Sequence, residues 1–185
     1  MTPTPDHDEI IGATRRWLER AVIGLGLCPF AESVYQAQRV RFRVSEQRTA
    51  ASLLGELQDE LVYLHEQPAA VCETTLLIHP WVLNDFLEYN DFLEVCEALI
   101  GDLGLEGELQ IASFHPQYQF AGTAPQDIEN HTNRSPHPTL HLLREASIER
   151  ALSAVEDPEE IYRRNIRTMR ELTHAGWRKL WDEGG

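Results

Sequence analysis

Apolar residues recur along this chain in two alternating rhythms, one helical and one strand-like. Asp8 offers an N-cap for a helix running to about Leu25. Ile10, Ala13, Trp17, Ala21 and Leu25 fall near helical spacing there, and Gly26 is the stop. Leu27-Cys28-Pro29-Phe30 follows, where the proline breaks or restarts the chain. Val40 to Ser45 alternates Val, Phe and Val with arginines, as a half-exposed strand does. Thr49 caps a helix to about Glu66 with Leu53, Leu57, Leu61 and Leu64 on one face, closed by Gln67-Pro68. Thr74 to Ile78 is a short, continuous apolar strand ending at His79-Pro80. Asn84 or Asp85 opens a helix that packs through Phe86, Tyr89, Phe92, Leu93 and Leu99 and ends between Gly101 and Gly104.

Leu109 to Phe114 is a further buried strand, ending at His115-Pro116. A polar connection of about twenty residues follows, long enough by loop statistics to be either functional or disordered. Thr139 to Val155 then reads as a helix. Asp157-Pro158 supplies an N-cap and an N1 proline for the last one, with Glu159 and Glu160 in its first turn and arginines beyond. Trp177, Leu180 and Trp181 are expected to fold back onto the body. The order strand–helix–strand–helix–strand predicts the α/β class, a single domain over residues 1–185 with a small, mainly parallel sheet of three or four strands and flanking helices. Residues 1–7 read as a disordered tail. A fourth strand has room near Glu32 to Gln38 or Tyr118 to Ala121, and a ferredoxin-like α+β arrangement is the alternative.

Composition narrows the function. With 185 residues the chain can bury a sizeable core without disulfides or metals. Its net charge of −14 repels phosphate backbones and anionic membrane surfaces, which argues against nucleic-acid and membrane partners. Cys28, Cys72 and Cys96 are odd in number and widely spaced, so neither an oxidising compartment nor a zinc knuckle is indicated. The first residues, MTPTPDHDE, carry no apolar signal core, and no run approaches a membrane span. The chain reads as cytoplasmic. No phosphate-binding glycine loop and no G-x-S-x-G elbow is present.

Candidate chemistry concentrates between Leu109 and Glu145. Two strands end in the same His-Pro dipeptide, and in parallel sheets ligands bind beyond the carboxyl ends of strands, so His79 and His115 are expected at one sheet edge. Proline as a strand terminator, with each histidine capping loop carbonyls, is the plainer alternative. His141 and Glu145 are four apart, on one face of the predicted helix, a spacing that suits two metal ligands or a histidine oriented by a carboxylate. Together His79, His115, His141 and Glu145 meet the ligand count for zinc or iron. Asn133-Arg134-Ser135, with Arg144 beyond, offers guanidiniums that match a carboxylate or phosphate. Arg134 has an alternative use, pinning the loop to carbonyls or to Asp127 and Glu129. Tyr118 can wall a pocket or join the core. Cys28 follows a helix C-terminus, which favours a structural thiol, unless Pro29 begins a new helix and reverses the local field. His131 and His137 are expected to face solvent.

The set Leu27-Cys28-Pro29-Phe30, Thr74 to Pro80, Asp85-Phe86 with Tyr89-Asn90, Ala112 to Pro116 with Tyr118-Gln119-Phe120, and Asn133 to Pro136 with Leu140 to Glu145 resembles the bacterial domain-of-unknown-function family numbered 1415, from about Thr14 to Trp181. In that family, positions 131 and 137 are commonly tyrosine, so His131 and His137 depart from its pattern. The positions that fit are His79, His115, His141, Arg134, Arg144 and Glu145. The resemblance implies a small bacterial cytoplasmic protein and assigns no activity. The leading expectation is an enzyme whose His79, His115, His141 and Glu145 act as acid/base groups, the three histidines doubling as metal ligands. Asn133, Arg134, Ser135, Arg144 and Tyr118 would hold a small anionic metabolite for hydrolysis or group transfer. The rivals are a non-catalytic binding protein, in which these groups order the 109–145 segment, and a thiol redox protein using Cys28.

Overall fold

The computed structural model describes residues 6–153 and 157–182. Four strands form one mixed sheet in the order β1-β2-β4-β3: β1 Val40–Val44, β2 Thr74–Ile78, β3 Leu109–Phe114 and β4 Thr139–Arg144. β1 and β2 pair in parallel, while β4 runs antiparallel to both β2 and β3. Three strands therefore point one way, as the crossover pattern requires, and the fourth is slotted between two of them. The α/β single-domain expectation holds, and the order is not that of a ferredoxin-like sheet.

The helices cover both faces. α3 (Ala50–Glu66) and α4 (Phe86–Asp102) lie on one, where Leu53, Leu57, Leu61 and Leu64 meet Leu77, Leu140, Leu142 and Cys96. Each such leucine, fully buried, contributes roughly 1.5–3 kcal/mol. On the other face α1 (His7–Trp17) and the short α2 (Ala31–Gln36) press Ile10, Trp17 and Tyr35 against Leu76 and Ile78. The helix predicted from Asp8 is capped instead by Asp6, whose carboxylate accepts from the Glu9 amide while Glu9 returns a bond to the Asp6 amide. Asp6 and His7 are thus part of the helix start, and the rest of the expected tail, residues 1–5, lies outside the described residues.

Three local expectations change. Glu32 to Gln38 is not a strand, because α2 occupies most of it, and Tyr118 to Ala121 is irregular connection. Thr139 to Val155 is not one helix: Thr139–Arg144 is β4 and Glu145–Leu152 is α5, with Val155 outside the described residues. The run TLHLLR carries a period-2 pattern. Leu140 and Leu142 enter the α3/α4 core, whereas Leu143 packs on Phe30 and Val34 across the sheet. The last helix, α6 (Pro158–Lys179), keeps its Asp157 cap and Pro158 but breaks at Thr173, with φ 61° and ψ 169°. A β-branched residue in that region is strained. Its first half packs Met169 and Asn165 on the body, the Asn165 side chain donating to the Leu27 carbonyl at 2.8 Å. The remainder folds back as expected, with Trp177 and Trp181 rings 5.3 Å apart.

α1 continues into a π-helical turn, Leu18–Ile23, in which the Gly24 amide reaches the Glu19 carbonyl at 3.0 Å. The wide turn brings the Glu19 and Arg20 carbonyls against the Gly24 Cα, so a methyl group there would sit under 3.0 Å from backbone oxygen. Gly24→Ala is expected to lower stability by about 1–3 kcal/mol, through overpacking against atoms that cannot rotate away. Urea unfolding followed by circular dichroism measures the loss.

Candidate functional site

The carboxyl ends of β2 and β3 lie at the same sheet edge, separated by the start of β4. His79 and His115 emerge there, as expected, and their amides extend the ladders by donating to Pro138 at 2.9 Å and Asn133 at 3.2 Å. Between their rings stands Tyr89 of α4, 5.7 Å from His79 and 5.0 Å from His115. Its hydroxyl donates to the Thr139 carbonyl at 2.8 Å and accepts from the Phe114 amide at 3.1 Å, replacing a ladder bond where β3 and β4 part.

The two histidines are fully buried and tied to main chain rather than open to a ligand. His115 Nδ1 accepts from the Gln117 amide at 3.0 Å, so Nε2 carries the proton and donates to the Leu83 carbonyl at 3.1 Å. His79 Nδ1 donates to the Val82 carbonyl at 3.0 Å, leaving Nε2 a buried acceptor without a partner. Burial pushes the His79 pKa down to about 4 and lowers that of His115. Both rings are neutral at pH 7.

His141 does not join them. It sits mid-strand on β4, opposite Leu76 and Ala112, and strand alternation turns it to the α1 face. There it donates from Nε2 to Thr74 Oγ1 at 2.8 Å, since the Thr74 hydroxyl proton is given to the Leu142 carbonyl. Burial holds its pKa at about 4 too. Its ring borders a small chamber of about 50 Å³ under α2, shared with Cys28. The Cys28 thiol pKa is raised, because burial outweighs the amides of Phe30 and Ala31, so α2 does not make it a ready thiolate. Among the described residues no three His, Cys, Asp or Glu side chains gather to hold a metal, and the zinc or iron set of His79, His115 and His141 is not assembled.

Arg144 and Glu145 lie at the other end of β4, beside Leu109 rather than Phe114. Five residues of strand separate them from the histidine edge, about 17 Å at ~3.4 Å per residue. Because Thr139–Arg144 is a strand and Glu145 begins α5, His141 and Glu145 share no helix face. Arg144 Nη2 is surrounded by the carbonyls of Leu64, Gln67 and Cys72 at 2.5, 2.6 and 3.0 Å, tying the end of α3 to the start of β2. Asn133 donates to the Ser113 carbonyl at 3.1 Å, and Tyr118 offers Arg134 its carbonyl. These residues order the 115–138 connection.

Of the expected ligand-binding residues, Arg134 and Ser135 do face a cavity. It is a cleft of about 590 Å³, within the ~300–1,000 Å³ of small-molecule sites. Arg16, Trp17 and Arg20 line it from α1 and the π turn, Pro116 from the end of β3, His131, Arg134, Ser135 and Pro136 from the long connection, and Trp177 and Trp181 from the segment past the Thr173 kink. Among the described residues no Asp or Glu lines it. Arg134 is fixed by Nε to the Tyr118 carbonyl at 3.0 Å and Nη2 to that of Pro125 at 2.6 Å, so the loop-pinning role and the cleft-facing position coexist. Asp127 caps the Ala124 amide and Glu129 pairs with Arg170, so neither neutralises it. Arg20 is anchored through Nη1 to the Leu180 carbonyl at 2.8 Å.

His131 does not face open solvent. Its Nδ1 is buried without a partner, and its ring lies 4.9 Å from Trp177 and 5.7 Å from His174. Burial, with help from Arg134 and His174, pushes its pKa down to about 4. Arg16, Arg20 and His131 escape motif reasoning because they are ordinary helix and loop residues whose convergence is tertiary. The one sequence trace is the i, i+4 spacing of Arg16 and Arg20.

These features define a small α/β protein with an arginine-lined cleft of small-molecule size beside the carboxyl edge of its sheet. The chain belongs to the family described as Protein of unknown function (DUF1415), whose family model matches residues 9–179. No curated protein and no solved structure matches the chain. Among the described residues no helix is long and apolar enough to cross a membrane.

Two outcomes follow from the buried polar groups. An unfolded histidine takes a proton near pH 6.5, whereas folded His79 and His141 do so only near 4, so between those values the unfolded chain binds more protons. Stability is then fully present above pH 6.5 and declines on acidification toward pH 4, by up to about 1.4 kcal/mol per pH unit for each histidine. Urea midpoints across pH 4–8 would show the slope. Separately, Arg144→Ala strips three carbonyls of their donor and is expected to cost about 2–4 kcal/mol in chemical unfolding.

Proposed function

We propose that the cleft recognises a small anionic metabolite and that His131 accepts a proton from it or from a water beside it. One observation carries this: in a chain of net charge −14, three guanidiniums converge on a cavity that no carboxylate among the described residues lines. Several arginines elsewhere on the molecule meet acids, as Arg41 meets Glu60, Arg43 meets Glu56 and Arg170 meets Glu129. Arg20 and Arg134 are instead held by carbonyls, which orient a cation without neutralising it. Such a fixed guanidinium suits carboxylate or phosphate, because its geometry is set before the ligand arrives.

His131 supplies the complementary group. With a pKa of about 4 it is neutral at pH 7, so one of its ring nitrogens is an unprotonated acceptor on the wall that carries the cations. A bound anion would offset the arginine charges and raise that pKa toward the operating pH, where the ring can take a proton from a hydroxyl or water beside the anionic group, the chemistry of hydrolysis or group transfer. Ser135 gives its hydroxyl proton to the His137 carbonyl at 2.6 Å, which favours a hydrogen-bonding role over attack. The negative field of the whole chain supports a small ligand over a nucleic acid or an anionic membrane, and supports solution in the cytoplasm.

Arg16 is the cleanest probe, since it is exposed on α1 and lines the cleft. Arg16→Gln should leave the unfolding midpoint unchanged and weaken orthophosphate binding about tenfold or more, the loss expected of one charged hydrogen bond. Isothermal titration calorimetry at low salt reads this directly. Failure of the wild-type protein to bind orthophosphate, sulfate or a small carboxylate at millimolar concentration would overturn the proposal.

A further inference from the structure

The cleft is larger than an inorganic anion needs, and its remaining walls are flat. Trp177 and Trp181 stand one helical turn apart beyond the kink, half-buried rather than packed away, with planes inclined at 73°. The His131 ring meets Trp177 at 69°, and Pro116 and Pro136 add two rigid apolar surfaces. Arg16, Arg20 and Arg134 supply planar cations among them. The backbone holds Thr173 at φ 61° to deliver both indoles to this place, a conformation that costs free energy on a β-branched residue.

We infer that the anion the cleft accepts carries an aromatic ring, held against the wall formed by Trp177 and Trp181 while its charged group meets Arg16 and Arg134. This deepens the anion assignment above and rests on it. Three features favour a ring over an alkyl chain. Indole faces and guanidinium planes attract π systems by stacking and by charge–quadrupole contact, which an alkyl group does not return. The rigid walls match a flat body that loses little freedom on binding. The neutral His131 ring that lines the cleft can accept through its unprotonated nitrogen from a ring N–H, an amino group or a hydroxyl, donors that aromatic metabolites commonly carry. A mononucleotide and a simple aryl phosphate or aryl carboxylate share this chemistry.

The test separates ring from charge. Methyl phosphate and phenyl phosphate carry the same anionic group and differ in the ring. Each is titrated into the full chain by calorimetry, with tryptophan fluorescence recorded in parallel. Phenyl phosphate should bind at least about tenfold more tightly, as base-on-aromatic stacking does, and should quench the emission. In Trp181→Leu that advantage should fall toward unity while methyl phosphate affinity is unchanged; Trp181→Phe, a milder change, should keep part of it. Benzoate against acetate repeats the comparison for a carboxylate head. Adenosine monophosphate against ribose 5-phosphate asks whether the ring is a base.

Equal affinity within each pair in the wild-type protein would overturn the ring while leaving the anion site standing. An advantage unchanged in both tryptophan variants would overturn the placement. If none of the six probes binds, the anion site itself fails, and the ring with it.

Discussion

The structure depends on filling one strand-wide gap. After β2 the chain crosses through α4 and lays down β3 in the same direction, but one position too far to pair with it. Neither facing edge is satisfied until β4 enters from the carboxyl end and bonds to both neighbours. The connection 115–138 must therefore stay over that edge and present Thr139 between Ile78 and Phe114. Tyr89 completes the join, its hydroxyl bridging the Phe114 amide and the Thr139 carbonyl where the two strands separate. Everything the long connection carries toward α1, including His131 and Arg134, is placed by that requirement.

Much of this was legible in the chain and some was not. The leucine stripe of α3, the continuous apolar run of β2 and the Asp157-Pro158 start of α6 are local signals, and each survived folding intact. The shared edge of His79 and His115 was also readable, because direction follows from crossover rules. That each would cap loop carbonyls was the plainer of the two readings, and the structure follows it; that the partners are Val82, Leu83 and Gln117 was not readable, since those are main-chain groups placed by the loops. TLHLLR misled because six residues, with His141 set i, i+4 from the Glu145 that follows them, fit a helix as well as a strand, and only pairing with both β2 and β3 decides between them. The cleft was half visible: Arg134 and Ser135 stood out as polar loop residues. Arg16 and Arg20 lie on a helix whose apolar stripe drew attention to its opposite face.

Charge distribution gives the cleft its character. An excess of acidic side chains keeps the surface negative, yet the long connection and the π turn gather cations into one recess. Carbonyl anchors let Arg20 and Arg134 act as structural ties and as charged walls at once. Such economy suits a small domain. A ligand's negative group would meet a local field opposite in sign to that of the whole molecule, and low-dielectric walls would sharpen it.

The Arg20–Leu180 tie spans 160 positions along the chain. A polypeptide leaving the ribosome in order presents the first helix of the cleft long before its tryptophan wall exists. Both halves must wait for almost all of the intervening sheet to form, and contacts of such separation come late because their loop-closure entropy is large. The recess is thus a final product of folding, assembled on a finished scaffold. A nascent or partly unfolded chain would have no pocket to fill, which couples any ligand capture to completion of the whole domain.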